Sequence, residues 1–220
     1  MIVCRKMNKK IILYILFFLS APAFGQNVEK LFLEIPENLI PLLSKQNRFE
    51  MMEYYKANQQ DSVKNKFGNY TKLELYDSIN QHIVVSTTKN SQLEIKILNR
   101  SDSVKTIALI NTILAPIQHS RISFYNSMWQ KLSIDFLMPK ATEWLKKDIF
   151  DKEDIDKIWI SKLMDNSFVA LNFEGENIIA KNYALETMSV EEKKQILPFI
   201  EHKVLIFELK DNKWITKKTL

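Results

Sequence analysis

The residues of this chain best suited to acid–base or metal chemistry are its three histidines, His82, His119 and His202. A metal site or proton relay often shows a second histidine or a carboxylate at a short fixed spacing, as in His-x-x-x-His. None of the three histidines has a neighbour at such a spacing. The sequence therefore predicts no catalytic and no metal-binding residues, and histidines that are hydrogen-bonded within the fold or exposed.

Motifs for nucleophilic and phosphate chemistry are missing from the sequence. There is no Gly-x-Ser-x-Gly motif, and 3 glycines in the whole chain are too few for a loop that cradles phosphate. We therefore predict no cofactor. A two-carboxylate hydrolase stays open as an alternative, because such carboxylates meet in space and leave no fixed spacing in the sequence.

A dense acidic patch lies near residue 150. Calcium sites need oxygen ligands at alternating positions around a turn that glycine permits. This patch contains no glycine and is interrupted by lysines, so we interpret it as a helix end followed by a solvated turn. Its acidic members are Asp148, Asp151, Glu153, Asp154 and Asp156.

The aromatic residues could form a platform for a sugar or a lipid. Stacking on a carbohydrate would need two or more of them exposed on one face, whereas large aromatic side chains are usually buried in part. The sequence favours partly buried core positions for them. The residues concerned are Trp129, Trp144, Trp159 and Trp214, with Tyr54, Tyr55, Tyr70 and Tyr125.

The first 25 residues have the pattern of a signal peptide. A basic stretch that begins from Met1 or Met7 is followed by the apolar run 11–19, which is too short for a bilayer that needs about 20 helical residues. Small residues then precede a predicted cleavage between Gly25 and Gln26. An uncleaved anchor is the alternative. The single cysteine, Cys4, precedes the cut, so the predicted product is periplasmic or secreted and is not a lipoprotein.

The charge balance argues against nucleic acid as a partner. The chain carries 31 basic and 26 acidic residues, for a net charge of +5. Four basic residues and no acid lie in residues 1–25, so 27 basic against 26 acidic residues remain after the predicted cleavage. A nearly neutral chain has no charge surplus to bind the phosphates of nucleic acid, so we predict no nucleic-acid partner. The mature chain also has no predicted transmembrane segment.

Hydrophobic periodicity divides the remaining chain into helices and strands. Residues 31–67 look helical and end at Gly68-Asn69, and from Thr71 the apolar residues alternate with polar neighbours, which predicts short antiparallel strands with one wet face. The continuously apolar segment 104–114 is predicted to be a central strand.

A second set of elements follows. We expect a helix over 141–150, strands over 158–164, 168–173 and 178–183, and a closing hairpin over 204–209 and 214–217. Ser189 and Glu192 have the spacing of a capping box, which predicts a helix start. The predicted fold is α+β: two helix-plus-antiparallel-meander units, over 26–134 and 135–220, after a cleaved signal peptide.

The first predicted helices carry a resemblance to a known family. The chain resembles an uncharacterised family of secreted proteins from the Bacteroidales, whose motifs are structural and carry no assigned activity. The resemblance implies an exported protein of a Gram-negative bacterium and no functional residues. It rests on Ile35-Pro36, Leu39-Ile40-Pro41-Leu42-Leu43, Asn47-Arg48, Glu50-Met51-Met52-Glu53-Tyr54, Val63-Lys64-Asn65, Phe67-Gly68-Asn69 and Asn212-Lys213-Trp214.

Three tripeptides follow the pattern Asp-(Ser/Thr)-aliphatic, which resembles the O-glycosylation signal of exported Bacteroidetes proteins. The predicted acceptors are Ser62, Ser78 and Ser103, each preceded by an aspartate and followed by valine or isoleucine. The alternative is ordinary turn chemistry, in which the aspartate bonds to its own backbone. Both interpretations stay open in the sequence.

The sequence favours a binding role without chemistry. We expect an exported, non-catalytic interaction module of the bacterial envelope, with a protein or a glycan as its partner. One alternative is a carboxylate-dependent periplasmic hydrolase. Another is a secreted protein inhibitor that presents a concave sheet to its target.

Overall fold

The computed structural model describes residues 27–59, 61–99, 105–134, 136–146, 149, 168–211 and 213–217. Several predicted features therefore lie outside the described residues: the cleavage site at Gly25 and Gln26, the acceptor Ser103, the strand over 158–164 and the whole acidic patch. None of the helices in these ranges is long and apolar enough to cross a membrane.

Two helices open the fold and are fixed by polar caps. Helix α1 is Val28–Glu34, and the Asn27 side chain accepts a hydrogen bond from the Lys30 N–H at its start. Helix α2 is Lys45–Lys56, and Ser44 and Asn47 form a reciprocal capping box at its start. Such caps satisfy amide donors that the first helical turn leaves free.

The predicted helical segment over 31–67 is too long at its C-terminal end. Helix α2 stops at Lys56, because Asn58 adopts the left-handed conformation with φ of 54°. The Asn58 and Gln59 N–H groups donate to the carbonyls of Tyr55 and Tyr54 at 3.1 and 2.9 Å, which is a Schellman motif. Gly68-Asn69, the predicted helix end, instead belongs to the turn between the first two strands.

Six antiparallel strands follow and form one meander. They pair in chain order, and each is joined to the next without a crossover. The strongly apolar segment predicted as a central strand becomes β5, which is flanked by β4 and β6. The strands are β1 (Val63–Lys64), β2 (Tyr70–Asp77), β3 (His82–Thr88), β4 (Ser91–Asn99), β5 (Lys105–Ile113) and β6 (His119–Tyr125).

The second half of the chain forms a four-stranded antiparallel sheet in the order β10-β9-β8-β7. Helix α3 is Ala141–Trp144, shorter than the predicted 141–150, because Leu145 pairs with Ile200 in a β-bridge. Helix α4 is Val190–Ile196, and Ser189 and Glu192 form the predicted capping box. The strands are β7 (Val169–Glu174), β8 (Asn177–Asn182), β9 (Val204–Lys210) and β10 (Lys213–Lys217).

Two hydrophobic clusters lie on opposite faces of the six-stranded sheet. In the first, α1 and α2 pack on the face that carries Ile83, Val85 and Ile95. In the second, the other face packs against the four-stranded sheet. The buried residues that the first sheet contributes to this second cluster are Leu98, Ala108, Ile110 and Phe124.

The observed architecture confirms the predicted α+β class with antiparallel sheets. The predicted wet face needs a correction, because the four-stranded sheet covers part of the surface that the alternation assigned to solvent. On β4, Glu94 and Lys96 are 2% and 0% exposed. The division at residues 134 and 135 stays a prediction.

Candidate functional site

The three histidines considered in the sequence analysis lie in different parts of the fold. His82, at the start of β3, lies 3.3 Å from the Glu94 carboxylate, measured from Nε2 to Oε2. His119 begins β6, and its Nδ1 is buried without a hydrogen-bond partner among the described residues. His202 lies half-buried just before β9. Within the described ranges, no three His, Cys, Asp or Glu side chains are grouped as metal ligands would be.

The His82–Glu94 pair is part of a buried polar cluster between the two sheets. Glu94 accepts a hydrogen bond from the Gln92 amide at 3.0 Å and from the Phe173 backbone N–H at 3.1 Å. The Glu94 side chain is 3% exposed. Lys96, two residues further along β4, donates from Nζ to the Asn80 carbonyl at 2.8 Å. The cluster therefore engages Glu94 and Lys96 in contacts within the fold.

The polar cluster seals the free edge of strand β7. On this edge the Phe173 N–H donates a hydrogen bond to the Glu94 carboxylate, and the Leu171 N–H donates one to the Ser120 hydroxyl at 2.9 Å. A sheet edge otherwise presents unpaired backbone donors, which cost free energy when they are buried. The arrangement explains a buried carboxylate without any catalytic role.

Sequence reasoning missed this cluster because its partners are far apart in the chain. The signal was the triplet Gln92, Glu94 and Lys96 at alternate positions of β4, between apolar Leu93 and Ile95. Such alternation is typical of a strand with one face in water. Three large polar residues in the interior of a six-stranded sheet could also have indicated a covered, hydrogen-bonded face.

A solvent-accessible cleft lies where the end of α2 meets β2, with a volume of about 420 Å³. We call it the α2–β2 cleft. Its walls are polar for the most part, with apolar residues in the floor: Leu73 and Met51 are buried. The lining residues are Met51, Tyr55, Asn58, Gln59, Asp61, Lys72, Leu73 and Glu74.

The α2–β2 cleft exists because two elements end early. The Schellman motif stops α2 and places Asn58 and Gln59 at the rim. Strand β1 pairs with β2 only at Thr71 and Tyr70, so the edge of β2 has no partner strand beyond Thr71 in the described part of the chain. A register shift between Leu73 and Leu75 adds a bulge in this wall.

The carboxylates of the cleft are exposed, whereas Lys72 and Tyr55 are half-buried. Lys72 and Glu74 form an ion pair of 3.5 Å, in which the Glu74 side chain is 39% exposed. Asp61 is also exposed. Tyr55 is half-buried, and its ring packs edge-on against Tyr76 with centroids 6.1 Å apart. Burial, with a hydrogen bond to Glu29, raises the pKa of Tyr76 behind it.

Two of the three predicted glycosylation acceptors lie in the described residues, and both are exposed. Ser62 precedes β1, and Ser78 lies in the turn between β2 and β3. In that turn the Asp77 carboxylate accepts the N–H groups of Ile79 and Asn80 at 3.0 and 2.8 Å. Hydrogen bonds from Asn80 lower the pKa of Asp77. Turn chemistry therefore operates at Asp77, while the adjacent hydroxyl stays accessible.

The tryptophans do not form an exposed platform in the described part of the chain. Trp129 and Trp144 are buried, and Trp214 packs between Phe124 and Phe136 at centroid distances of 6.4 and 5.9 Å. This agrees with the predicted core positions. Trp159 lies outside the described residues. Tyr70 is 62% exposed and faces the Lys64 ammonium at 5.6 Å.

Comparison with solved structures supports the fold. A domain of an uncharacterized protein from Porphyromonas gingivalis W83 matches with a TM-score of 0.70 and 20% sequence identity, over 86% of this chain and 97% of that chain. At this identity the likeness shows the fold alone. No curated protein matches the chain.

The sequence also matches a family model, described as "Protein of unknown function (DUF3256)", over residues 20–214. This match covers all the described helices and every strand except the last three residues of β10. It bears out the resemblance to a family without assigned activity, and the structural neighbour comes from a member of the Bacteroidales. The chain belongs to the DUF3256 family.

Proposed function

We propose that this chain is an exported, non-catalytic interaction module of the bacterial envelope that presents the α2–β2 cleft to a protein or glycan partner. One observation carries the proposal: the cleft is lined by amides, exposed carboxylates and a lysine, and its lining residues include no Ser, Thr, Cys or His. The buried ionisable groups that could do chemistry, Glu94 and Lys96, are instead engaged in the fold. This distribution suits recognition better than catalysis.

The predicted signal peptide supports the proposal that the chain is exported. The basic stretch, the short apolar run and the small residues before Gln26 form the pattern of a cleaved signal peptide. The proposed location is the periplasm or the secreted fraction. O-glycosylation would fit this location, with Ser62 and Ser78 as exposed acceptors and Ser103 as a third.

Intact-mass spectrometry of the chain isolated from envelope fractions tests both points. We expect a polypeptide that begins at Gln26, with added sugar mass that falls by one increment in Ser78→Ala and one in Ser62→Ala. Retention of Met1 or Met7 would contradict cleavage at Gly25. An unmodified mass would contradict glycosylation and leave the cleavage result standing.

A carboxylate-dependent hydrolase is the second candidate, because Asp61 and Glu74 line the same cleft. Glycosidases pair two carboxylates across the scissile bond, and one of them must stay protonated near neutral pH. Burial is the usual way to keep a carboxyl protonated. Both carboxylates are exposed here, and Glu74 contacts Lys72. The geometry therefore favours binding over hydrolysis.

Affinity capture tests the interaction role. The chain is immobilised and exposed in parallel to envelope extract and cytosolic extract of the producing bacterium, and retained proteins and glycans are identified. We expect a component that is retained from the envelope and absent from the cytosolic control. Residence of the chain in the cytosol, or retention of nothing from the envelope, would overturn the proposal.

A further inference from the structure

We infer that the α2–β2 cleft binds a neutral glycan, through hydroxyl groups that meet its amides and carboxylates. The inference rests on the proposed interaction role and narrows its partner to one chemical class. The volume of about 420 Å³ lies in the range of small-molecule sites, so a short segment of sugar chain would fit where a folded protein domain would not.

The lining groups match the chemistry of sugar hydroxyls. A hydroxyl donates one hydrogen bond and accepts others, so it pairs well with an amide, which also does both. Asn58 and Gln59 supply two exposed amides at one rim. Asp61 and Glu74 supply acceptors, and Lys72 supplies a donor. Every polar lining group therefore has a counterpart on a hydroxyl-rich ligand.

The cleft also offers an apolar surface beside its polar rim. Tyr55 lines it, and its orientation is constrained by the edge-on contact with Tyr76. Leu73 and Met51 are buried in the floor. The C–H groups on one side of a sugar ring pack on such surfaces, while the hydroxyls at the ring edge turn to the polar groups.

Charge argues against an anionic ligand. Asp61 and Glu74 contribute two negative charges, and Lys72, which contacts Glu74, contributes one positive charge. The cleft is therefore negative by one unit among its lining groups. A phosphorylated or uronic acid ligand would meet repulsion there, whereas a neutral sugar would not.

The backbone of β2 argues against a peptide that adds as a new strand. Strand addition needs a regular row of free N–H and C=O groups on a sheet edge. The register shift between Leu73 and Leu75 in the β2–β3 pairing puts one extra residue into β2, which also breaks the regular alternation of groups along its outer edge. A glycan has no need of a regular edge.

The backbone at the rim of the cleft is held in place before any ligand arrives. Asn58 is fixed by the Schellman hydrogen bonds at the end of α2, so its amide starts from a defined backbone position. A preorganised group loses less conformational entropy on binding than a group on a free loop. Weak binding to single sugars is still expected, since the cleft is open.

Nuclear magnetic resonance titration of the purified full chain tests the inference. The probes are the neutral maltotriose, cellotriose and mannotriose, the anionic trigalacturonate, and a peptide of alternating Thr and Val. We expect at least one neutral trisaccharide to shift the amide signals of Asn58, Gln59 and Asp61, with no comparable shift from trigalacturonate or the peptide.

The variant Asn58→Gly with Gln59→Ala removes both rim amides. Glycine suits the left-handed conformation at 58, so the helix end should persist. Each lost hydrogen bond should weaken binding about fivefold. The control is Gln46→Ala, which removes an exposed amide near the other end of α2, roughly 15 Å along the helix from its end. The control should bind as the unaltered chain does.

Several results would overturn the inference. These are shifts confined to other parts of the chain, unchanged affinity in the double variant, preference for trigalacturonate, and β2 backbone shifts with the peptide alone. No shift with any trisaccharide overturns it too. If envelope capture succeeds while all sugars fail, this inference alone is wrong; if capture itself fails, the interaction role is wrong.

Discussion

At the scale of single residues, Glu94 is the residue for which we expect a large contribution to the stability of the fold. It is a carboxylate in the interior of a sheet, and it accepts hydrogen bonds from Gln92 and from the backbone of Phe173, 79 positions away in the chain. This acceptor is costly to remove, because its loss leaves the buried Phe173 N–H without a partner. We expect Glu94 to contribute more to stability than the exposed carboxylate of Glu74 on β2.

Replacement of Glu94 by alanine should lower the free energy of unfolding by about 2 kcal/mol or more, because the Phe173 N–H and the Gln92 amide lose their acceptor. Urea denaturation at fixed pH measures the change. The matched control is Glu74→Ala on β2, where an exposed ion pair is lost and the change should stay within about 1 kcal/mol. Equal effects of the two variants would contradict the role assigned to Glu94.

Asp77 gives a prediction about pH. The N–H and side-chain amide of Asn80 lower its pKa, so the charged carboxylate is favoured in the folded state. The stability it contributes is present above the ordinary titration range of a carboxyl and is lost as the pH falls through the lowered pKa. Asp77→Asn keeps an oxygen acceptor for the turn but has no charge to lose.

The stabilities of the natural chain and of Asp77→Asn should therefore differ more at neutral pH than in acid. We expect the urea midpoints of the natural chain and Asp77→Asn to converge as the pH is lowered from about 7 to about 2. Asp77→Ala, which also loses the turn acceptor, should be less stable than Asp77→Asn throughout. A constant difference between the natural chain and Asp77→Asn over this range would show that the carboxylate contributes nothing through its charge.

At the scale of elements, the end of α2 decides whether the cleft exists. Had the helix continued to Gly68, as the sequence suggested, its last turns would occupy the space beside β2. The signal for the true end was Asn58, since asparagine is among the few residues other than glycine that enter the left-handed region readily. Gly68, which is better known as a helix stop, serves the hairpin turn with φ of 77°.

The identity of residue 58 should matter through its backbone. Asn58→Ala places an ordinary side chain in the left-handed conformation and should cost about 1 kcal/mol of stability. Asn58→Gly removes the strain and should leave stability unchanged or slightly raised. Thermal or urea unfolding compares the two. Equal stability of the alanine and glycine variants would contradict the Schellman assignment at this position.

Local pattern predicted most of the strands and the capping box of α4, because both depend on neighbours in sequence. Alternation marked β2 to β4, and Ser189 with Glu192 marked the start of α4. The polar cluster and the cleft depend on pairs such as Glu94 with Phe173 and Tyr55 with Lys72, which only the folded chain brings together. Periodicity also cannot tell a face that meets water from a face that meets a second sheet.

At the scale of the whole molecule, the two sheets are joined by a shared core and by polar contacts across it. Ser120 on β6 links to the backbone of Leu171 on β7, and Phe124 packs on Trp214. The sheets come from residues 63–125 and 169–217, on either side of the predicted division at 134. Their interface predicts that neither half is stable without the other.

Unfolding should accordingly be a single cooperative transition. We expect far-ultraviolet circular dichroism and tryptophan fluorescence to give one common urea midpoint. Ser120→Ala should lower the free energy of unfolding obtained from each signal by the same amount, about 1 kcal/mol. Ser123→Ala on the same strand serves as the control and should change stability by less than about 0.5 kcal/mol. Two separate midpoints, of which Ser120→Ala moves one, would contradict this coupling.

The sealed edge of β7 also constrains the order of events during folding. The meander can assemble from hairpins of adjacent strands, whereas β7 makes its contacts with residues far away in the chain: Leu171 lies 51 positions after Ser120, and Phe173 lies 79 positions after Glu94. Before β7 docks, we expect Glu94, Lys96 and Ser120 to keep part of the uncovered sheet face hydrated. The same groups that contact the second sheet in the folded molecule would then reduce aggregation of the partly folded chain.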